Sequence, residues 1–519
     1  MPKDDLISRH IFLLPFKWEA QDAAAELRQI ISDSSRWAAS PFEIQDAEAY
    51  NNYTYFLNFT RYAIFDQSQA GGYTNIDSFQ YQIPVEDPKI RIAILNRTAP
   101  DYELRVGKIT LEIYPTQVAI LSIELDNYTY HDPEDILQIN QFTRRLYPPF
   151  LPLIASKGGE FPHQISFSWD KNLSDDFSYF EDFAQINRRP TPLPRHILGL
   201  IIPLEAENQP EIEIIPTIDD RMFVISWYGN DQLSVKFSQK KAVQNWQYMD
   251  KEDRWWYRYV FVDGGEPTMT QHQLFDEVLT RQSYLRWVGS GTLYGITRYS
   301  FVVLTDEGYF GRNLVSQHTR DHYYNLAKLV LIQRASLLKF SEDLTRYSLQ
   351  AAKEVPAISQ IKKWHRDYQY FLNQINHGNV SAQDQGIELY EMTRKAVDIE
   401  DLEKKLLSEI NEMKNYAQAY EEERKTEAFN IFTVLGMIFT FFSFLSTFQR
   451  SYYFKRFIDR MGDVYPIYLF ILFLISAFFV YQAISQTVVL KETFLKNTGK
   501  FTLALLFIIG ALLFPLLFQ

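Results

Sequence analysis

The apolar stretches Phe429–Phe448 (FNIFTVLGMIFTFFSFLSTF) and Pro466–Ser485 (PIYLFILFLISAFFVYQAIS) organise the rest of this sequence. Neither contains a charged side chain, and each is about 20 residues long, enough for a helix to cross the hydrocarbon core of a bilayer. A third apolar run, Phe501–Phe518, follows them. We therefore predict three spans, by which a large polar body is attached to the inner (cell) membrane as a multi-pass protein. For the third run, a shallow or re-entrant segment is the alternative.

Composition limits the class of protein. The chain has 519 residues, too many for a single hydrophobic core, so several domains are expected. The net charge of −12 argues against direct binding of nucleic acid. The sequence contains no cysteine, which excludes disulfides, thiolate nucleophiles and cysteine-type zinc sites. The N-terminus lacks the uninterrupted apolar core of a signal peptide, so the polar body is expected in the cytoplasm.

The order of predicted elements gives the fold class. Residues 1–310 combine strands with a few helices, including a hairpin of Lys108–Tyr114 with Gln117–Leu125 and a helix that begins at Asp132. The prediction is an α+β (mixed α/β) cytosolic domain, followed by a helical stalk over 311–428 and a C-terminal transmembrane helical bundle over 429–519. Further strands are predicted at Gln164–Trp169, His196–Leu204, Glu211–Pro216, Met222–Trp227, Leu233–Phe237, Trp255–Val262 and Thr292–Thr305.

The last part of the stalk, Ile387–Glu427, is predicted as one long helix. Apolar side chains recur in it every three or four residues, a spacing typical of a helix packed against other helices. They are Ile399, Leu402, Leu406, Ile410, Met413, Ala417 and Tyr420. Because no proline or glycine separates this helix from Phe429, it is expected to continue into the first span.

The first predicted span carries a stripe of small and hydroxyl side chains on one helical face. The stripe consists of Thr433, Gly436, Thr440, Ser443 and Thr447. Such a stripe either packs against neighbouring helices or lines a wet path where copies of the helix gather about an axis. Both interpretations stay open, and the second makes these residues pore-lining.

At this end the chain resembles the CorA family of divalent-cation transporters. The residues that carry the likeness are Thr433, Gly436-Met437-Ile438-Phe439 and Ser443-Phe444 in the first span and Tyr465-Pro466 at the start of the second. The resemblance implies a homo-oligomer, a pentamer in that family, with the first span around the pore. The family's Gly-Met-Asn signature is absent. Arg450, Ser451 and Tyr452 stand at the pore mouth instead, and arginine there repels a hard dication.

The aromatic-rich body and the missing signature resemble CorA-like proteins associated with type III CRISPR systems. The resemblance implies a membrane channel or effector, not an enzyme, whose cytoplasmic domain senses a nucleotide second messenger such as an S-adenosylmethionine–AMP adduct. Binding then gates ion passage or perturbs the membrane in antiviral defence. The expected partners are the lipid bilayer, copies of the same chain and the small ligand, without a cofactor. A divalent metal (Mg/Co/Ni) transporter with an altered filter and a membrane-anchored enzyme are the alternatives.

A mixture of arginine, tryptophan and glycine lies between residues 281 and 298. Guanidinium groups bind phosphate and an indole stacks on a base, so a ligand site is one interpretation. A helix end followed by a hairpin turn is the other. The predicted ligand-binding residues are Arg281, Arg286, Trp287, Ser290 and Arg298.

Two further groups have simpler interpretations. His318 and His322 are four residues apart, a spacing that suits a metal ion, but the start of a solvated helix also explains them and no metal site is predicted. Arg144 and Arg145 stand at the end of the helix that begins at Asp132, where the helix dipole favours cations.

Overall fold

The computed structural model describes residues 6–19, 23–66, 76–95, 97, 100–146, 161–176, 193–202, 212–241, 244–351 and 358–412, and the single positions 415, 422, 436, 456, 459 and 460. The chain divides into two compact units, Met1–Ser408 and Glu409–Gln519. The strands and helices named below all belong to the first unit.

One mixed sheet of 13 described strands forms the centre of the first unit. The strands are β1 (Ser8–Glu19), β2 (Trp37–Ala39), β3 (Asp77–Tyr81), β4 (Lys89–Leu95), β5 (Tyr102–Tyr114), β6 (Val118–Asn127), β7 (Phe161–Phe167), β8 (Asp170–Asp176), β9 (Glu213–Pro216), β10 (Phe223–Gly229), β11 (Ser283–Tyr284), β12 (Leu293–Ile296) and β13 (Ser300–Thr305). The main path is β11-β12-β13-β10-β1-β6-β5-β4-β7-β8. The pair β10 and β13 is parallel, whereas β1, β5 and β6 are joined antiparallel.

Helices cover this sheet and connect its strands. They are α1 (Ala23–Asp33), α2 (Ala47–Tyr55), α3 (Asn58–Ile64), α4 (Pro133–Thr143), α5 (Arg195–Ile201), α6 (Asp231–Lys241), α7 (Lys251–Phe261), α8 (His272–Gln282), α9 (Tyr324–Ala351), α10 (Ile358–Gln374) and α11 (Asp384–Ala396). Residues 310–323, which we call the lead segment, run directly into α9 and contain two π-helical stretches, Phe310–Val315 and Thr319–Tyr323. Such π-helical turns occur frequently at functional sites.

The central strands are buried on both faces, but the two faces differ in chemistry. On one face Ile109, Leu111 and Leu121 belong to an apolar core that also includes Phe142 of α4. Because side chains alternate along a strand, the residues between them point to the other face, which α9 covers through contacts with β1 and β6. Polar groups on that second face are therefore buried and need partners.

Local sequence patterns correctly predict the central hairpin of the sheet and the helix that follows it. The expected hairpin is formed by β5 and β6, with a turn in which Gln117 has a φ of 59°. The helix at Asp132 is also confirmed: its side chain accepts a hydrogen bond from the amide of Glu134 at 2.9 Å, and Pro133 is the first helical residue. Both features depend on neighbours in the sequence, so local rules suffice.

Three predicted strands are helices in the structure. His196–Leu204 lies largely in α5, Leu233–Phe237 in α6 and Trp255–Val262 in α7. In α7 the buried side chains Trp255, Trp256, Tyr259 and Val260 recur at helical spacing and pack into one aromatic core. Their β propensity yields to this packing and to the Asp250 cap, whose side chain accepts from two backbone amides.

The predicted continuous stalk helix is interrupted. α11 ends at Ala396, and Asp398 adopts a left-handed backbone with φ of 56° before helical structure resumes over 399–412. A left-handed residue ends the run of α-helical hydrogen bonds. The single rod predicted over Ile387–Glu427 is therefore wrong, and its part beyond residue 412 lies mostly outside the described residues.

The structure also corrects the membrane part of the predicted fold. Within the described ranges, no helix is both long enough and apolar enough to cross a bilayer. The helix α9 has 28 residues, but charged side chains such as Lys328 and Arg334 interrupt its apolar character. The fold is thus a sheet-rich α/β unit with helices. The transmembrane bundle is not supported, nor are the multi-pass localisation, the ion transport and the antiviral role drawn from it.

The segments predicted to span the membrane, 429–448, 466–485 and 501–518, lie outside the described residues apart from Gly436. The same holds for the remaining predicted pore-lining and pore-mouth residues, Thr433, Thr440, Ser443, Thr447, Arg450, Ser451 and Tyr452. Gly436 is a helical, exposed position, and a Cβ added there would meet nothing within 4 Å.

Candidate anion-binding site

Four of the predicted ligand-binding residues lie at the surface. Arg281 is in the last turn of α8, and Ser290 ends a short 3-10 turn. Arg286 already pairs with Glu388 at 2.9 Å, and Trp287 is 42% exposed. That these four side chains bind a ligand stays a prediction.

The histidine pair packs as aromatic rings. The ring centroids of His318 and His322 are 4.8 Å apart, and His322 stacks on Tyr55 at 4.2 Å. Burial, with His318 adding a smaller effect, lowers the pKa of His322 to about 4, so its ring is neutral near pH 7. No group of three or more potential metal ligands occurs in the part of the chain that the structure describes.

The fifth predicted residue, Arg298, leads to a different site. It lies in the turn between β12 and β13 and pairs with Asp398. It is also close enough to Arg334 of α9 that its charge, after burial, contributes to lowering the pKa of that side chain. The arginines that interact in this region are Arg144, Arg145, Arg221, Arg298 and Arg334, which we call the arginine cluster.

Backbone contacts hold the first three members together. Arg144 follows the end of α4, and its carbonyl accepts a hydrogen bond from the amide of Met222 at 2.8 Å. The next residue, Arg145, forms an antiparallel bridge with Arg221. The end of α4 is thereby fixed beside the start of β10, so these like charges are held together by the fold.

Arg144 is the most deeply buried member, with 3% of its surface exposed. Its Nη2 donates to the carbonyl of Val262 at a long 3.4 Å, and its guanidinium lies 5.5 Å from the ring centroid of Tyr299. Its Nε and Nη1 have no acceptor among the described residues. A buried cation whose donors lack acceptors is costly, because it has lost its water without gaining a partner.

The electrostatics of the cluster reflect this cost. Burial, together with the neighbouring charges of Arg221 and Arg145 and against the opposing effect of Asp219, lowers the pKa of Arg144 to about 10. Burial and Arg221 likewise lower the pKa of Arg145. These directions show that the surroundings disfavour positive charge, although guanidinium groups remain protonated at neutral pH.

The nearby carboxylates do not balance these cations. Burial and a hydrogen bond with Asp220 raise the pKa of Asp219 to about 6. The same hydrogen bond, together with Arg221, lowers the pKa of Asp220. Asp398 is already engaged by Arg298. The cluster therefore has more cations than these carboxylates neutralise, which is the arrangement expected of an anion-binding site.

The cluster also reaches the break after α11. One guanidinium nitrogen of Arg334 donates to the carbonyl of Val397, and its Nε has no acceptor in the described ranges. The adjoining residue, Asp398, is the left-handed position that Arg298 contacts. Two members of the cluster, Arg298 and Arg334, thus contact the residues at which the helix is interrupted.

Sequence reasoning noticed Arg144 and Arg145 but explained them by the helix dipole. The local signal, two arginines after a helix, is also common at solvated helix ends. What distinguishes this pair is its contact with Arg221 and its burial beneath Tyr299, and both come from distant parts of the chain. No pattern within the sequence of α4 reveals them.

No known protein family, curated protein or solved structure matches the chain. The resemblance to the CorA family is therefore without support from other proteins, and the function has to be argued from the geometry.

Proposed function

We propose that the first unit is a binding unit for a small ligand that carries a phosphate ester, with the arginine cluster as its site. The observation that carries this proposal is the buried guanidinium of Arg144, whose Nε and Nη1 lack acceptors among the described residues. An anionic oxygen brought by a ligand supplies the missing acceptors and also neutralises the surplus charge.

The chemistry of the cluster favours phosphate over a single carboxylate. Phosphate offers several strong acceptor oxygens, which suits guanidinium donors from two parts of the fold, Arg144 and Arg145 at the end of α4 and Arg334 on α9. The ring of Tyr299 beside Arg144 adds an aromatic surface. A nucleotide fits this combination, and the S-adenosylmethionine–AMP adduct implied by the resemblance contains such a phosphate.

The same contacts give the ligand a way to act on the protein. Arg334 and Arg298 hold Val397 and Asp398, so an anion that draws these guanidiniums toward itself changes the forces on the break after α11. A ligand shifts a conformational equilibrium only if it binds the two states unequally. We infer that the state of this break is what the ligand selects.

The proposal is tested by ligand-dependent thermal unfolding and calorimetry of the full chain. The probes are inorganic phosphate, AMP, adenosine and the S-adenosylmethionine–AMP adduct. We expect the three probes that carry phosphate to raise Tm and adenosine, which lacks phosphate, to leave it unchanged. Arg144→Met is expected to abolish the response, and Arg144→Lys to weaken it, because an ammonium lacks the planar donor set.

Arg286→Met is the matched control, because it removes an exposed guanidinium that already has Glu388 as a partner. The response to the phosphate esters should survive in this variant. A response that is lost in Arg286→Met and kept in Arg144→Met would assign the ligand to the surface residues between 281 and 298 and overturn the proposal.

A further inference from the structure

A separate cavity of about 590 Å³ lies on the polar face of the sheet. Its walls come from β5 and β6, from the segment around α2, and from the lead segment with the first turns of α9. This volume is in the range of small-ligand sites in proteins. None of the five arginines of the cluster lines it.

The floor of the cavity is a stripe of polar side chains at alternate strand positions. Lys108 stands opposite Glu124 in the register of β5 and β6, and Thr110 stands opposite Ser122. The register shifts at Gly107, where an added Cβ would lie 3.2 Å from Oε1 of Glu124. Bulges of this kind re-aim side chains and are frequent beside functional sites.

Most of the charged groups in the floor are neutralised within the protein. Lys328 of α9 pairs with Glu112 at 2.6 Å, and Tyr114 donates to the other oxygen of that carboxylate at 2.8 Å. Arg320 of the lead segment pairs with Glu124 at 3.0 Å. These pairs make the floor rigid and leave little net charge on it.

Lys108 is the exception in the floor. It is half-buried and lines the cavity, but its ammonium makes no hydrogen bond or ion pair with any residue in the described parts of the chain. Burial lowers its pKa, with Lys328 and Arg320 adding to this effect and the two glutamates opposing it. A free amine in an otherwise paired floor is a position for an acidic group of a ligand.

The opposite wall of the cavity is acidic. Glu43, Asp46 and Glu48 come from the segment around α2, and Asp321 of the lead segment faces them. Burial and the nearby Glu48 raise the pKa of Asp321 to about 7. The side-chain amide of Gln317 donates a hydrogen bond to the Asp321 carboxyl at 2.7 Å. This wall attracts positive charge and repels a molecule that is purely anionic.

The geometry points to a second, independent ligand site in this cavity, which takes a small zwitterion. The acidic group of the ligand pairs with the ammonium of Lys108, and its cationic groups lie against the carboxylates of Glu43, Glu48 and Asp321. The wall offers several carboxylates, whereas the floor offers one unpaired cation, Lys108. The preferred zwitterion therefore has more cationic than acidic groups. This is a different chemical class from the phosphate ester assigned to the arginine cluster.

Three probes of similar length separate the contributions of the two charges. L-lysine carries a carboxylate and two ammonium groups, cadaverine is the same diamine without the carboxylate, and glutarate has carboxylates alone. We expect calorimetry of the full chain at pH 7 to show that L-lysine binds about tenfold more tightly than cadaverine, the worth of one charge-assisted contact. Glutarate should not bind measurably.

Lys108→Met keeps the length and apolar stem of the side chain and removes the charge. In this variant the affinity for cadaverine should be unchanged, and the preference for L-lysine should disappear. Lys108→Arg should retain the preference, and an unchanged apo Tm shows that each variant folds. Equal affinities of the two amines in the original chain, a preference that survives in Lys108→Met, or no binding of L-lysine overturns the inference.

Arg144→Met serves to separate this inference from the proposed function. It should lose the response to AMP and retain the response to L-lysine, because Arg144 does not line the cavity. Loss of both responses in this variant would show that the two sites are not independent, and the inference would be wrong.

Discussion

The polar face of the sheet and the arginine cluster both bury charge, but they treat it differently. On the polar face Lys328 meets Glu112 at 2.6 Å, and Arg320 meets Glu124 at 3.0 Å. In the cluster, the contacts of the Arg144 guanidinium among the described residues are the carbonyl of Val262 at 3.4 Å and the ring of Tyr299. Apart from Lys108, the floor of the first region pairs its charges within the fold, whereas the second region leaves guanidinium donors without acceptors among the described residues.

The difference teaches how to tell a structural charge from a functional one. A buried ion pair is self-sufficient, so breaking it leaves an uncompensated charge and costs much. A buried charge without a partner has already incurred that cost, so removing it relieves the folded state. The two regions should therefore respond in opposite directions to the same kind of substitution.

The largest effect is expected on the polar face. Lys328→Met removes the ion-pair partner of Glu112 and leaves a buried carboxylate whose one remaining donor among the described residues is Tyr114. We expect the free energy of unfolding to fall by about 3–5 kcal/mol, measured by urea denaturation. Lys339→Met is the control on the same helix, because its partner Asp343 is less buried, and it should cost clearly less. Equal losses in both variants would show that the Lys328 pair is not special.

The opposite sign is expected in the cluster. Arg144→Met replaces a buried cation that has no carboxylate partner among the described residues with an apolar side chain of similar length. Without ligand, the free energy of unfolding should rise by about 2 kcal/mol, measured by the same denaturation experiment. A loss of stability as large as that of Lys328→Met would mean that Arg144 has a carboxylate partner within the protein, and the contrast between the regions would fail.

A smaller effect, on the pH dependence of stability, is expected from Asp321 in the acidic wall of the cavity. Burial and Glu48 raise the pKa of Asp321 in the folded chain to about 7. Between the ordinary pKa of an aspartate side chain and pH 7, the folded chain therefore holds more protons than the unfolded chain. Stability should therefore fall as the pH rises through this window. Asp321→Asn should remove that part of the pH dependence and stabilise the protein at pH 8.

The expected gain for Asp321→Asn is on the order of 1 kcal/mol, because the neighbouring Glu48 is exposed and solvent screens the pair. Denaturation at pH 5 and pH 8 measures it. Parallel pH profiles for the original chain and Asp321→Asn would show that this carboxyl titrates normally. Asp46→Asn is unsuitable as a control, since Asp46 caps α2 through the amide of Ala49.

The smallest effect is expected outside both regions. Arg286 is exposed, and its pair with Glu388 lies in water. Arg286→Met should leave Tm unchanged within the error of a thermal melt, because exposed ion pairs contribute little. A clear shift in Tm would show that surface pairs matter here as much as buried ones, which would weaken the comparison.

Much of the local structure could be predicted from the sequence, because the interactions that determine it join residues close together in the chain. The hairpin of β5 and β6 and the Asp132 cap depend on residues a few positions apart. The prediction of a strand at α7 is wrong because its aromatic residues favour strands in isolation, whereas the packing of Trp256 and Tyr259 in the aromatic core and the Asp250 cap select the helix. The same limit explains why the rod predicted through Asp398 is broken.

The two sites differ in how far they could be predicted. The cavity floor leaves a trace in the sequence, because Lys108, Thr110 and Glu112 alternate with apolar residues in a strand whose other face is already core. The arginine cluster leaves none, since Arg144 and Arg334 come close to the same two residues, Asp219 and Tyr299, only in the folded chain. Long-range contacts of this kind follow from the topology and not from any pattern of neighbouring residues.

The lead segment has a consequence for changes in chain length. A π-helical turn holds one residue more than an α-helical turn. Arg320 and Asp321 therefore point in directions that they would not have if a regular α-helix continued backwards from Tyr324. Deleting one residue within Thr319–Tyr323 removes that extra residue, so the segment should wind as an ordinary helix while everything before it keeps its phase. The loss of one residue between Tyr324 and Lys328, in the α-helical part, should instead rotate everything before it by about 100° and turn the cavity wall away from the ion pair of Lys328.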